Sequence, residues 1–209
     1  MPEDSKVVLK MDERERNIAL DTGMEAVKED ARDTRGIVSS LYEWMEAAIF
    51  SLVCVVLVFS FLFRIVGVDG DSMQTTLLDH DRLILTDLFY TPGHGDIVVI
   101  NQHTQEPLIK RIIAMPGDRL DIDEETGEVI LNGKVLDEPY VNGQFTERRQ
   151  FTGEMVIPEG YVFVMGDNRG YSKDSRYTDI GENGLISTRD IMGKAVFRIW
   201  PFSQIGSLS

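Results

Sequence analysis

Two side chains in this 209-residue sequence sit where nucleophilic chemistry can be built. Ser72 lies in Gly70-Asp71-Ser72-Met73-Gln74, two polar residues before Leu77-Leu78, and Lys110 follows 38 residues later in PLIKRIIAMPGD. On a strand, alternate side chains share a face, which puts Lys110 with Leu108 and Ile112 and puts Ile109, Arg111 and Ile113 opposite. An ammonium between aliphatic neighbours is disfavoured relative to the neutral amine, and a neutral amine is what a lysine general base requires. Each residue alone has a plainer reading. A loop serine is ordinarily structural or solvated, and a lysine on an edge strand can carry its head to water. A third feature is GDNRGYSKDSRY, residues 166–177, which crowds small donors and acceptors with Arg169, Lys173 and Arg176 after the apolar YVFVM. Such a loop is either a plain connection or a cradle for a catalytic side chain.

Other chemistries lack their residues. His80, His94 and His103 share no metal-ligand spacing and read as polar loop residues, so no metal is expected. The stretch around Ser72 lacks the second glycine of a nucleophile elbow. No serine is followed by lysine three positions on, and neither a Walker motif nor GxGxxG occurs, so no cofactor is called for. Lys and Arg total 21 against 35 Asp and Glu, a net charge of −14, with no basic cluster to hold phosphates, which excludes nucleic acid as the expected partner. The lone Cys54 makes no internal disulfide possible, so stability must come from packing.

The elements that would position these residues follow from pattern. Ala47 to Phe63 is apolar on every face and carries no charge, and at ~1.5 Å per residue it reaches roughly the ~30 Å of a bilayer's hydrocarbon core. A buried helix of a small soluble domain would show a polar stripe, and a cleaved leader would start nearer the first residue. One membrane-spanning helix over 41–66 is the expectation, with Ser40 and Glu43 at capping-box spacing, Trp44 at one interface and Arg64 at the other. Lys28, Arg32 and Arg35 against Arg64 and Arg82 favour a cytoplasmic amino terminus and an outside carboxyl-terminal part. Residues 1–40, charged and without a sustained apolar face, are expected to be disordered or loosely helical. After residue 66 short β-rich runs dominate: IVVI after Gly95-Asp96, LIKRIIAM, RLDID, EVIL, KVL, YVFVMG and GKAVFRIW. Asn132-Gly133 between EVIL and KVL is a type I′ hairpin signal. The expected fold is mainly β, an antiparallel sheet or barrel-like domain over 67–209 behind one transmembrane helix.

In order and spacing, the anchor, VDGDSMQTTL (68–77), GDIVVI (95–100), LIKRIIAMPGD (108–118) and GDNRGYSKDSR (166–176) resemble the type I signal peptidases, membrane-bound proteases with a Ser/Lys dyad. The resemblance covers residues 44–202. It implies Ser72 as nucleophile, Lys110 as general base, Ser172 as the hydroxyl that orients the amine, and Asp174 with Arg176 as an ion pair shaping the adjoining loop. It gives Asp167 and Arg111 structural roles. It further implies exported, signal-peptide-bearing preproteins as substrates, small residues one and three positions before the cut, and a lipid bilayer as surroundings.

Two positions depart from the family pattern. Thr75 stands where proline is usual, leaving an amide donor to satisfy. Gly70 stands where some members carry an oxyanion-stabilising hydroxyl, so the Ser72 backbone N–H is the donor that can be named. Two rival readings follow: a self-cleaving repressor-type Ser/Lys protease, and a weak or inactive anchored relative that binds exported chains.

Overall fold

A computed structural model describes Ile18, Met24, Glu25 and residues 40–60, 63–102, 106–141 and 143–208. His103, Lys28, Arg32, Arg35 and nearly all of the 1–40 segment lie outside the described residues. The chain divides into two units, Met1–Val58 and Phe59–Ser209.

Helix α1, Ser40–Ser60, is long and apolar enough to cross a membrane, and none of its apolar stretch is buried by protein. The expectation that helix continues to Val66 does not hold at that end. Arg64–Gly67 is strand β1, paired antiparallel with β2, Arg82–Thr86. The β-branched Ile65 and Val66 suit either element, and the hydrogen-bonding partner decides.

The second unit is antiparallel β. β3 (Ile97–Ile100), β4 (Leu108–Ala114), β9 (Tyr161–Met165), β10 (Ile186–Ser187), β11 (Ile191–Trp200) and β12 (Gly206–Ser207) join β1 and β2 in one sheet ordered β1-β2-β11-β3-β4-β9-β10, with β12 on β11. A second sheet, ordered β7-β6-β5-β8, is built from β5 (Arg119–Ile122), β6 (Val129–Leu131), β7 (Lys134–Val135) and β8 (Met155–Val156). Register shifts along β11, against both β2 and β3, bend the large sheet as bulges do. At Gly193, between β11 and β2, the backbones come close: φ is +150° and a Cβ would lie 2.8 Å from the Thr86 carbonyl oxygen. Asn132 and Gly133 both have positive φ, 54° and 77°, as the turn between β6 and β7 requires.

All four residues of β3 are buried, which explains an apolar run without alternation. Val98 and Ile100 pack with Leu108, Ile112, Val162 and Val164. Ile97 and Val99 pack on the other side with Leu83, Leu85, Met73 and Leu77. Met73 and Leu77 are thus core residues, joined by a hydrogen bond from Leu77 N–H to the Met73 carbonyl at 2.9 Å. They fix the loop that carries Ser72 from one side of the sheet.

Candidate active site

β4 supplies the lysine. Leu108 and Ile112 belong to one part of the core and Ile109 to another, as strand alternation requires, and Lys110 between them is only 2% exposed. Its Nζ donates to Ser72 Oγ at 2.8 Å and to the Ile109 carbonyl at 2.9 Å. Burial lowers the amine's pKa from 10.5 to about 8, against smaller opposing contributions from the Asp174 and Asp167 carboxylates.

The 166–177 loop clasps the serine loop. Asn168 donates through its backbone N–H to the Ser72 carbonyl at 3.1 Å and through Nδ2 to the Asp71 carbonyl at 2.9 Å. Asp167 accepts from Thr76 Oγ1 at 2.6 Å and, with both oxygens, from Arg111 Nε and Nη2 at 2.9 and 2.8 Å. Arg111 lies over the Tyr140 ring, 4.0 Å from its centre, and also donates to the Gly95 carbonyl. Asp174 and Arg176, both fully buried, form a two-pronged pair with each bond at 2.8 Å. Asp174 also accepts from Gly166 N–H at 3.0 Å, and Arg176 donates to the Arg169 carbonyl at 2.9 Å. Paired carboxylates and guanidiniums of this kind lock a buried loop, because removing either partner leaves a buried charge uncompensated.

Ser172 differs from its expected arrangement. Its hydroxyl is buried and has no hydrogen-bond partner among the described residues, so the amine is held in this structure by Ile109 and Ser72. The serine's backbone N–H instead bonds to the Asn168 carbonyl at 2.9 Å. Its hydroxyl remains next to the serine loop: a Cβ on Gly166 would lie 2.3 Å from Ser172 Oγ and 2.4 Å from the Ser72 carbonyl oxygen.

At the Gly70 position the backbone supplies the reason for glycine. Its φ is +86° and a Cβ there would meet nothing within 4 Å, so conformation and not space excludes a hydroxyl-bearing residue. The Ser72 N–H donates to no group among the described residues. Thr75 is exposed.

A cleft of about 490 Å³ opens onto Ser72 and Lys110. One wall is Val66–Asp69, which continues β1 and whose strand partner among the described residues is β2, and the other is Leu108–Lys110, paired among the described residues with β3 alone because pairing with β9 starts at Arg111. Two strand edges without a further strand partner among the described residues therefore border the cleft beside the serine. An extended peptide could complete both.

The sequence matches, over residues 41–200, the family described as signal peptidase, peptidase S26. The chain belongs to the signal peptidase family. Signal peptidase I of Bacillus licheniformis is 36% identical over 178 residues, covering 80% of this chain and 92% of the relative. Signal peptidase IB of Staphylococcus aureus is 34% identical over 182 residues, covering 78% and 92%. A crystal structure of signal peptidase I from Enterococcus faecalis V583 aligns with a TM-score of 0.39 and 24% identity over 50% of this chain and 97% of that one. Membership in this family sets aside the repressor-type reading.

Several residues of this candidate site carry no signal in a strand-by-strand reading. Thr76, Gly166 and Asn168 act through backbone approach and loop-to-loop bonds over 91 and 97 residues, which no local pattern reports. Buried Arg169, which donates to Glu138 and to Thr146 Oγ1 at 2.8 Å, ties the same loop to the second sheet's connection. Only the density of Gly, Asp, Asn and Arg in 166–177 pointed there.

Gly166→Ala tests the clasp. The methyl must displace the Ser72 carbonyl or the Ser172 hydroxyl, and we expect kcat/KM on a peptide substrate to fall by about a hundredfold or more while the β-sheet circular dichroism is retained. Full activity in this variant would show that the packing of residue 166 against Ser72 does not fix the site.

Proposed function

We propose that this protein is a single-pass membrane endopeptidase that removes signal peptides from exported preproteins by a Ser72/Lys110 dyad. The observation that carries the proposal is the 2.8 Å contact between the serine hydroxyl and a buried amine whose pKa is lowered to about 8. The neutral amine accepts the Ser72 hydroxyl proton as Oγ attacks the scissile carbonyl carbon. The Ser72 N–H, without another acceptor, donates to the developing oxyanion. The protonated amine then gives its proton to the leaving amine, and the carbon–nitrogen bond breaks to leave an acyl-serine. A water molecule, deprotonated by the same amine, hydrolyses the ester and returns the proton to Ser72.

The two open edges beside the serine support an extended substrate segment, and a preference for small residues one and three positions before the bond is what the family resemblance adds to this reading. Helix α1 supports a bilayer anchor, with the residues ahead of it in the cytoplasm, Ser40–Ser60 reaching through the membrane and the β unit, from β1 (Arg64–Gly67) onward, as the peptidase domain on the outer face. An anchored enzyme meets a substrate whose cut lies just beyond its own membrane-inserted segment. Asp174 with Arg176 and Asp167 with Arg111 are the structural pairs that hold the loop beside the dyad in place. Ser172 is a positioning residue in this proposal: its buried, unpaired hydroxyl takes the amine during turnover, when Ser72 is acylated and no longer holds it.

The deciding experiment maps by mass spectrometry the cut made in a preprotein with a small-x-small site. We expect one cut directly after the second small residue, with kcat/KM rising about tenfold per pH unit up to pH about 8 and levelling above it, because only the neutral amine accepts the proton. Lys110→Arg should lose more than about 99% of activity at every pH, since guanidinium stays protonated. A parental cut elsewhere, or an arginine variant with more than about a tenth of parental kcat/KM, contradicts the proposal.

For Ser172→Ala we expect kcat to fall roughly ten- to a hundredfold with KM little changed and the pH midpoint displaced, as loss of a buried hydrogen bond worth about 1 to 3 kcal/mol implies. Ser172→Thr keeps the hydroxyl and should recover most of the rate. An alanine variant with parental kcat and midpoint removes Ser172 from the mechanism.

A further inference from the structure

The walls of the cleft carry charge that the dyad chemistry does not use. Besides Lys110, the charged residues lining it are Asp69, on the wall that continues β1, and Glu106, just ahead of β4. Both are exposed, and among the described residues neither makes an ion pair or a side-chain hydrogen bond. Other acids near the serine are engaged: Asp71 accepts from Gln74 Nε2, Asp79 from Gly70 N–H, and Asp81 pairs with Arg198. The carboxylates that act on the Lys110 amine are Asp174 and Asp167, and Asp69 and Glu106 are not among its perturbing charges. The two cleft acids are therefore free to act on a bound chain without retuning the base. With the amine neutral, the cleft presents two negative charges and no positive one.

We propose that Asp69 and Glu106 are specificity-determining residues that make the cleft favour substrates with a basic side chain, and reject those with an acidic one, a few residues from the scissile bond. The inference rests on the proposed peptidase reading. Asp69 is three residues from Ser72 and Glu106 four residues from Lys110, so at ~3.3 Å per extended residue they lie up to about 10 to 13 Å along the cleft from the dyad. An extended substrate rises by the same amount per residue, which places the selected side chain within about three to four positions of the bond. Across the open cleft, interactions of this kind are modest and salt-sensitive, since exposed opposite charges gain little and the Debye length falls from about 30 Å at 0.01 M to about 3 Å at 1 M.

The test measures kcat/KM on the full chain in detergent micelles for matched peptides with Lys, Gln or Glu placed singly at each position from two to five residues before the cut. We expect a Lys-to-Glu preference of about tenfold, equivalent to about 1.4 kcal/mol, at one or more of the outer positions in low salt, shrinking to about twofold near 1 M salt. In the Asp69→Asn, Glu106→Gln double variant the preference should fall to within about twofold in low salt, while the pH midpoint of cleavage stays where the parent has it. Failure to cleave the Gln peptides at all would overturn the peptidase reading and this inference with it. Cleavage of the Gln peptides with no Lys-to-Glu preference in the parent, or a preference that survives both substitutions, would overturn this inference alone. Should the double variant not fold, the parent's salt series decides: a preference that stays undiminished near 1 M salt overturns the inference, and one that shrinks as expected supports it.

Discussion

Burying one lysine amine next to a serine hydroxyl sets the terms for the rest of this structure. An ammonium taken out of water costs several kcal/mol, so the group lowers its pKa and gives up its proton near pH 8. The opposing influence comes from Asp174 and Asp167, which alone would keep the amine charged. Each of those carboxylates is bound on both oxygens by its own arginine, Arg176 or Arg111, so most of its field is spent locally. The arginines are therefore part of the lysine's chemistry although neither touches it. Desolvation then wins, and the amine becomes a base within reach of neutral pH.

The same pairs solve a mechanical problem. Ser72 and Lys110 come from segments 38 residues apart, and the loop that clasps them comes from almost a hundred residues beyond the serine. Met73 and Leu77 hold the serine loop from the core, while Asn168 and Asp167 hold it from the 166–177 loop. Gly166 lets these loops meet without a side chain between them. β4 completes the arrangement by its register: it pairs with β9 only from Arg111 onward, which leaves Leu108–Lys110 with a free edge at the cleft. Fold and candidate site share one strand, with packing at one end and the cleft at the other.

What could be read from the sequence was whatever a few adjacent residues decide. Asn132-Gly133 specified its turn because two consecutive positive φ values admit few residues, and IVVI, YVFVM and GKAVFRIW specified strands through unbroken β-branched and aromatic runs. The end of the apolar helix misled because Ile65 and Val66 look alike in a membrane helix and in a strand, and the partner that settles the matter, β2, lies beyond the intervening serine loop. Lys110's burial was legible from Leu108 and Ile112. The hydroxyl of Ser172 was placed by family resemblance, and its actual contacts depend on loop closure that no spacing encodes. Thr76, Gly166 and the Arg169–Glu138 pair were illegible for the same reason, being contacts between loops.

The proposed Ser72/Lys110 dyad depends on the state of one amine, and that state can be measured without any substrate. Lysine side-chain nitrogens labelled with ¹⁵N in the full-length protein in detergent micelles, titrated by NMR and assigned with Lys110→Arg, should show Lys110 losing its proton at pH about 8, below the ordinary 10.5. Ser72→Ala, which removes the hydroxyl beside the amine and leaves it buried, should leave that titration below the ordinary value. A Lys110 that titrates at the ordinary 10.5 in the folded protein would contradict the claim that burial makes it the base.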